Sequence, residues 1–203
     1  MTLFMSKLIS GIMELLIVSV IPFITWLIWS RKKVGFFDWI GLKKVQTQQK
    51  RRLLLTIFGF TLLSFLLSFV LFRWLYSIKT GFADFSGKGI GALPTILAIA
   101  ILGTALPEEI FFRGFLLKRL QGKLGFLGAN LVQSLLFGLM HALMFIQQTD
   151  VLIAMVIFAY TSLIAFVLGA INEQQANGSN LPSFFIHTLV NTTAGLLFAF
   201  SLI

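Results

Sequence analysis

The chain has 203 residues, 58% of them hydrophobic and 23 of them Phe, with no cysteine and a formal net charge of +9. That length suits one domain, and that composition excludes a soluble protein and describes an integral membrane one. The missing cysteines exclude disulfides, thiolate catalysis and cysteine metal sites, and basic residues gathered at the ends of apolar runs exclude a nucleic-acid partner in favour of the lipid bilayer.

Residues 8–30 form the first predicted span. The apolar run from Leu8 to Trp29 is too long for a signal peptide, and the first thirty residues contain no alanine to make a cleavage site. The following loop carries eight basic residues, from Arg31 to Arg52, and one acid, Asp38. Such a loop is retained in the cytoplasm. Its Phe36-Phe37-Asp38-Trp39-Ile40 patch reads as an aromatic belt at the membrane interface. Residues 53–76 are the second span. The next loop runs through Lys79, Asp84 and Lys88 and is nearly charge-balanced, as an external loop is. Gly87-Lys88-Gly89 is not a nucleotide-binding loop, because no Ser or Thr follows the lysine and no strand precedes it.

Gly91 to Leu120 is apolar except at Pro107-Glu108-Glu109. It reads as one long helix, or two in line, broken at Pro107, with the glutamates in the first turn of the second helix. Lys118, Arg119 and Lys123 mark the return to the cytoplasm. Phe126 to Gln147 crosses again, followed by a short external loop at Asp150. Val151 to Ile171, a polar turn from Asn172 to Asn180, and Leu181 to Ile203 complete the chain. Asn177-Gly178-Ser179 is a glycosylation sequon in form, discounted by its cytoplasmic position. The expectation is an all-α polytopic transmembrane bundle of about six to seven helices, a single membrane domain over residues 1–203. Six principal spans place both termini outside.

Within this apolar chain of only 7 acidic residues, the adjacent pair Glu108-Glu109 stands out. On a helix Glu109 and Arg113 are four apart and pair. Glu108 is turned about 100° away and stays free for chemistry. The only two histidines, His141 and His187, both lie in predicted spans, with companions four residues away at Phe137 and Asn191. A lone buried histidine is ordinarily a satisfied core group, but intramembrane ionisable residues are functional candidates. Counting from the turn near Gly122, Glu108 lies roughly 18 Å deep and His141 roughly 22 Å deep. His187 and Asn191 reach roughly 9 and 15 Å into the last span. All four can face one cavity. A carboxylate and an imidazole can activate a water, and a second imidazole and a carboxamide can hold an oxyanion. A zinc ion on Glu108, His141 and His187 is the alternative, although the H-E-x-x-H pattern is absent.

These residues resemble the CPBP intramembrane proteases, also called the CAAX protease, bacteriocin-processing or Abi family. Glu108-Glu109-x-x-x-Arg113, Phe137-x-x-x-His141 and His187-x-x-x-Asn191 match its three motifs in order, from Pro107 to Asn191. The resemblance implies a motif-bearing core at about 91–203 around a membrane-embedded catalytic cavity. It implies an endopeptidase cutting membrane-associated proteins or peptides. By the same resemblance, Glu108 and His141 would activate water, and His187 and Asn191 would form the oxyanion site. Glu109 and Arg113 would be supporting, and Phe137 would wall the cavity. No cofactor is favoured, with zinc the alternative. The implied location is a bacterial plasma membrane. The competing readings are a non-catalytic bacteriocin-immunity or scaffolding protein on the same fold, and a proton-coupled transporter. The intact motif set argues against the first, and the lack of inverted repeats against the second.

Overall fold

The computed structural model describes residues 1–74 and 81–202. Among these every regular element is helical. Helix α1 (Leu3–Trp29) starts where the Thr2 hydroxyl accepts from the Met5 amide at 3.3 Å. The short α2 (Phe36–Trp39) and then α3 (Lys50–Trp74) follow. A long helical run, α4, covers 93–124, and α5 covers 126–145. Helix α6 (Val151–Ala170) is capped by the Asp150 carboxylate, and α7 (Leu181–Ala199) closes the fold. The predicted second-span end at Tyr76, the loop residue Lys79 and the terminal Ile203 lie outside the described residues.

Among the described residues five stretches are long and apolar enough to cross a membrane, the longest being Gly89–Phe145 with 57 residues. That stretch turns back on itself at Gly125, whose φ of 66° is a glycine conformation. Arg113 and Phe137 would lie roughly 36 Å apart on a straight helix, yet the guanidinium sits 4.5 Å from the Phe137 ring centroid. The stretch therefore supplies two limbs, α4 and α5, and six limbs result. Large side chains such as Leu16, Ile17, Leu54 and Phe58 point outward on α1 and α3, as a lipid-facing surface requires. Inside, small residues let helices approach closely. A Cβ on Gly138 would collide with Ser162, which holds α5 against α6.

The break expected at Pro107 is absent, which corrects the sequence reading. Leu106 (φ −67°, ψ −49°) and Glu108 (φ −68°, ψ −39°) are helical on either side of it. Wide π-helical turns flank the proline, at Ile99–Ala105 and Glu109–Leu117. Such turns shift the hydrogen-bond ladder, so the missing proline N–H and its ring are absorbed while the backbone stays helical through Pro107. The glutamates consequently sit mid-helix and not in a first turn, and the helix-dipole argument for their charge falls away.

Part of the aromatic patch in the basic loop after α1 packs inward, while Phe37 stays exposed. Trp39 and Ile40 are buried against Leu106, Ile110 and Phe115, and the Arg119 guanidinium covers the Trp39 ring at 4.0 Å. The loop is clasped to the turn before α7. The Asn180 amide donates to Gly41 O at 2.7 Å and the Ser179 hydroxyl to Lys43 O at 2.6 Å. Lys118 Nζ bridges Glu173 and Gly178 O at 2.6 and 2.8 Å. A side chain at Gly41 (φ +79°) would strike Lys118 and Gly178. At the opposite end Lys7 pairs with Asp84 at 2.8 Å. The hydrogen bond and charge of Lys7 hold the Asp84 carboxyl below its ordinary range. The stability this adds is present above the unfolded-state pKa and is lost as pH falls through the folded one; for an exposed pair it is small.

The three loops at the Lys118 end thus share one face, as the alternation of spans requires. A cysteine placed at Gln46, in a chain with none of its own, is expected to react with a membrane-impermeant maleimide only after cells are permeabilised. Ready labelling from outside intact cells would reverse the assigned orientation.

Candidate active site

The site is built on α4. It carries Thr104, in the first π stretch, and Glu108, between the two, on one face, and Glu109 and Arg113, in the second, on another. Glu109 is fully buried and fully committed. Its Oε1 lies 3.2 Å from Arg113 Nη1 and 3.3 Å from His187 Nδ1. Its Oε2 accepts from the Ser183 hydroxyl. Ser183 is itself held by Asn172, whose Nδ2 donates to it at 2.6 Å. The Glu109–Arg113 pairing expected from the spacing is therefore present, both side chains being 0% exposed.

Glu108 is the contrast. Its Oε2 is buried without a hydrogen-bond partner. The nearest basic group is His187 Nε2 at 3.7 Å, beyond direct hydrogen-bond range. His187 thus lies between the two carboxylates, Nδ1 facing Glu109 and Nε2 facing Glu108. A carboxylate only accepts, so Nδ1 carries a proton. His141 is oriented through its backbone. Its Nδ1 is 2.9 Å from Phe137 O and so carries a proton too, leaving Nε2 for the cavity. The Phe137 ring lies 4.4 Å from the His141 ring and 5.0 Å from Phe112. With the Arg113 guanidinium on it, Phe137 ties the three motifs together; it is 4% exposed.

Asn191 Nδ2 donates to Thr104 Oγ1 at 2.8 Å, and Thr104 passes its own proton to Ala100 O at 3.0 Å. One amide hydrogen of Asn191 remains uncommitted. Glu108, His141, His187 and Asn191 line one cavity of about 260 Å³, together with Thr104 and Tyr160. The depth comparison from the sequence brought together residues that the fold also brings together. Among the described residues no group of three or more His, Asp or Glu side chains converges as a metal-binding set. Glu108, His141 and His187 share the cavity without gathering in that way.

Three site residues escaped the sequence reading. Ser183 precedes His187 by four residues and Thr104 precedes Glu108 by four. The stripe Ser183, His187, Asn191 along one face of α7 was a readable signal. Tyr160 carried none, because its hydroxyl contacts, to Ser68 Oγ at 2.7 Å and Ser64 O at 3.2 Å, cross from α6 to α3.

No curated protein and no solved structure is found to match the chain. A family model described as type II CAAX prenyl endopeptidase Rce1-like matches residues 90–193, a little over half of the sequence. The matched region contains every polar group of the cavity on α4, α5 and α7. With these motifs inside it and the helical membrane fold around them, the chain belongs to the type II CAAX prenyl endopeptidase Rce1-like family.

Proposed function

We propose that the protein is a multi-pass membrane endopeptidase that hydrolyses peptide bonds of membrane-associated proteins or peptides with a water activated by Glu108. One observation carries the reading. Of two adjacent glutamates, Glu109 is neutralised by Arg113 and hydrogen-bonded by Ser183 and His187, while Glu108 Oε2 makes no hydrogen bond and faces the cavity shared with His141, His187 and Asn191.

In this mechanism His141 Nε2 and Glu108 hold the water. Glu108 takes its proton as the oxygen bonds to the scissile carbonyl carbon. The oxyanion receives hydrogen bonds from Asn191 Nδ2 and His187 Nε2. For His187 this requires protons on both ring nitrogens, since Nδ1–H is committed to Glu109. Collapse of the tetrahedral intermediate breaks the C–N bond, and the proton on Glu108 passes to the leaving nitrogen. Thr104 orients Asn191, and Glu109 orients His187.

Asn191→Ala removes one oxyanion donor, so single-turnover cleavage of a membrane-inserted peptide should slow about 10²–10³-fold and remain measurable. Zinc content is measured in parallel. Stoichiometric zinc, lost together in Glu108→Gln, His141→Ala and His187→Ala, would replace the glutamate mechanism with a metal one and leave the peptidase reading standing.

A further inference from the structure

Outside the motif residues, α1 carries one acid, Glu14, in an otherwise apolar span whose only basic residue is Lys7. A carboxylate in such a place is costly and ordinarily faces a partner or a wet cavity. Glu14 has neither an ion pair nor a hydrogen bond among the described residues, and it opens into a groove of about 580 Å³ between α1 and α4. Its position is set by a close helix crossing. A Cβ on Gly11 would come within 3.1 Å of the Gly103 amide nitrogen, and one on Gly103 within 4.0 Å of Glu14 Oε2. Small residues at that crossing seat Glu14 directly over Gly103. Thr104 and Glu108 follow on α4, and both line this groove as well as the site cavity.

The groove therefore borders the site at Thr104 and Glu108, and its ionisable groups are unbalanced. It is lined by two carboxylates, Glu14 and Glu108, and one cation, Lys7. Lys7 is held by Asp84 at 2.8 Å. Whatever reaches Glu108 by this route passes an unpaired carboxyl group between apolar walls that include Ile17, Val18 and Phe111. A bare metal ion does not suit these walls, since no metal-binding set converges among the described residues. An apolar peptide segment with one basic side chain does.

We propose that this groove seats the substrate segment flanking the scissile bond, and that Glu14 is a specificity-determining residue that receives a lysine or arginine side chain of that segment. The proposal rests on the peptidase reading above, and its test separates the two. Fluorescent membrane-inserted peptides are made with Lys, Gln or Glu at successive positions beside the cleavage region. Their binding is measured to Glu108→Gln protein and to the Glu108→Gln/Glu14→Gln double variant. Their cleavage is measured with wild-type, Glu14→Gln and Glu14→Lys protein. A charge-assisted contact predicts about a tenfold preference for the Lys peptide over the Gln peptide at its best position. Glu14→Gln should bring that ratio to about one, mainly through KM, and Glu14→Lys should turn the preference towards the Glu peptide. A preference that survives Glu14→Gln, or none in the wild type, overturns the groove assignment while cleavage itself upholds the peptidase. Charge-selective binding that depends on Glu14, with no cleavage by any form, upholds the groove and overturns the peptidase.

Discussion

Glu108→Gln is expected to bind a membrane-inserted peptide as the wild type does and to cleave it about 10⁴-fold more slowly, the upper end of what a positioned base contributes. The amide nearly matches the carboxylate in shape but cannot take a proton. The fold should not suffer, because Glu108 Oε2 makes no hydrogen bond that the amide would break. His141→Ala should be as severe, since the water loses its second anchor. Single-turnover cleavage and peptide binding, measured on the same preparations, check this. Glu108→Gln protein with wild-type turnover would remove the catalytic role of Glu108 and with it the proposed reaction. Loss of binding together with turnover would make Glu108 a binding group and not a base.

Arg113→Ala is expected to destabilise the protein by about 3–5 kcal/mol, the effect of leaving one member of a buried pair without the other. Arg113 and Glu109 are both fully buried and lie 3.2 Å apart. None of the guanidinium nitrogens makes a directed hydrogen bond, although the pair is at ion-pair distance. Charge and the Phe137 face hold the guanidinium, which lies 4.5 Å from the centroid of that ring. Removing it strips Glu109 of its counter-charge and Phe137 of one neighbour. His187 and His141 then lose their settings, so activity falls too. Arg113→Lys should recover part of the stability, because it keeps the charge but not the planar stack. Chemical denaturation in detergent gives the stability difference. An Arg113→Ala protein that is inactive but as stable as wild type would make the arginine a direct participant in the reaction.

The pairing of Glu109 with Arg113 was legible in the sequence because it needs only the four-residue spacing of a helix, and a π turn preserves that proximity. The shared cavity was legible because two histidines and two carboxylates in an apolar chain have few places to go. The course of α4 was not legible. Proline normally signals a break, and π turns leave no mark in hydrophobic periodicity. The burial of Trp39 and Ile40 was missed for a related reason. An aromatic patch beside basic residues suits a membrane interface equally well, and it is α4, through Leu106, Ile110, Phe115 and Arg119, that draws it inward from far along the chain. Glu14 had no motif around it, and its meaning comes from Gly103 across the helix crossing. Tyr160 likewise depends on α3, a neighbour that no local pattern names.

The π turns at Ile99–Ala105 and Glu109–Leu117 make chain length itself part of the site. Each wide turn holds more residues than an α turn of 3.6. Deleting one residue there would return the helix to ordinary winding with little rotation of what lies beyond, whereas the same deletion in an ordinary α stretch turns everything beyond it by roughly 100°. Glu108 sits between the two wide stretches and Glu109 opens the second, so a deletion within Leu106–Glu108 would turn one half of α4 against the other. That would swing Lys118 away from Glu173 and the Glu109–Arg113 pair away from Ser183 and His187. The wide turns are thus where α4 has length to spare, and the three residues between them are where it has none.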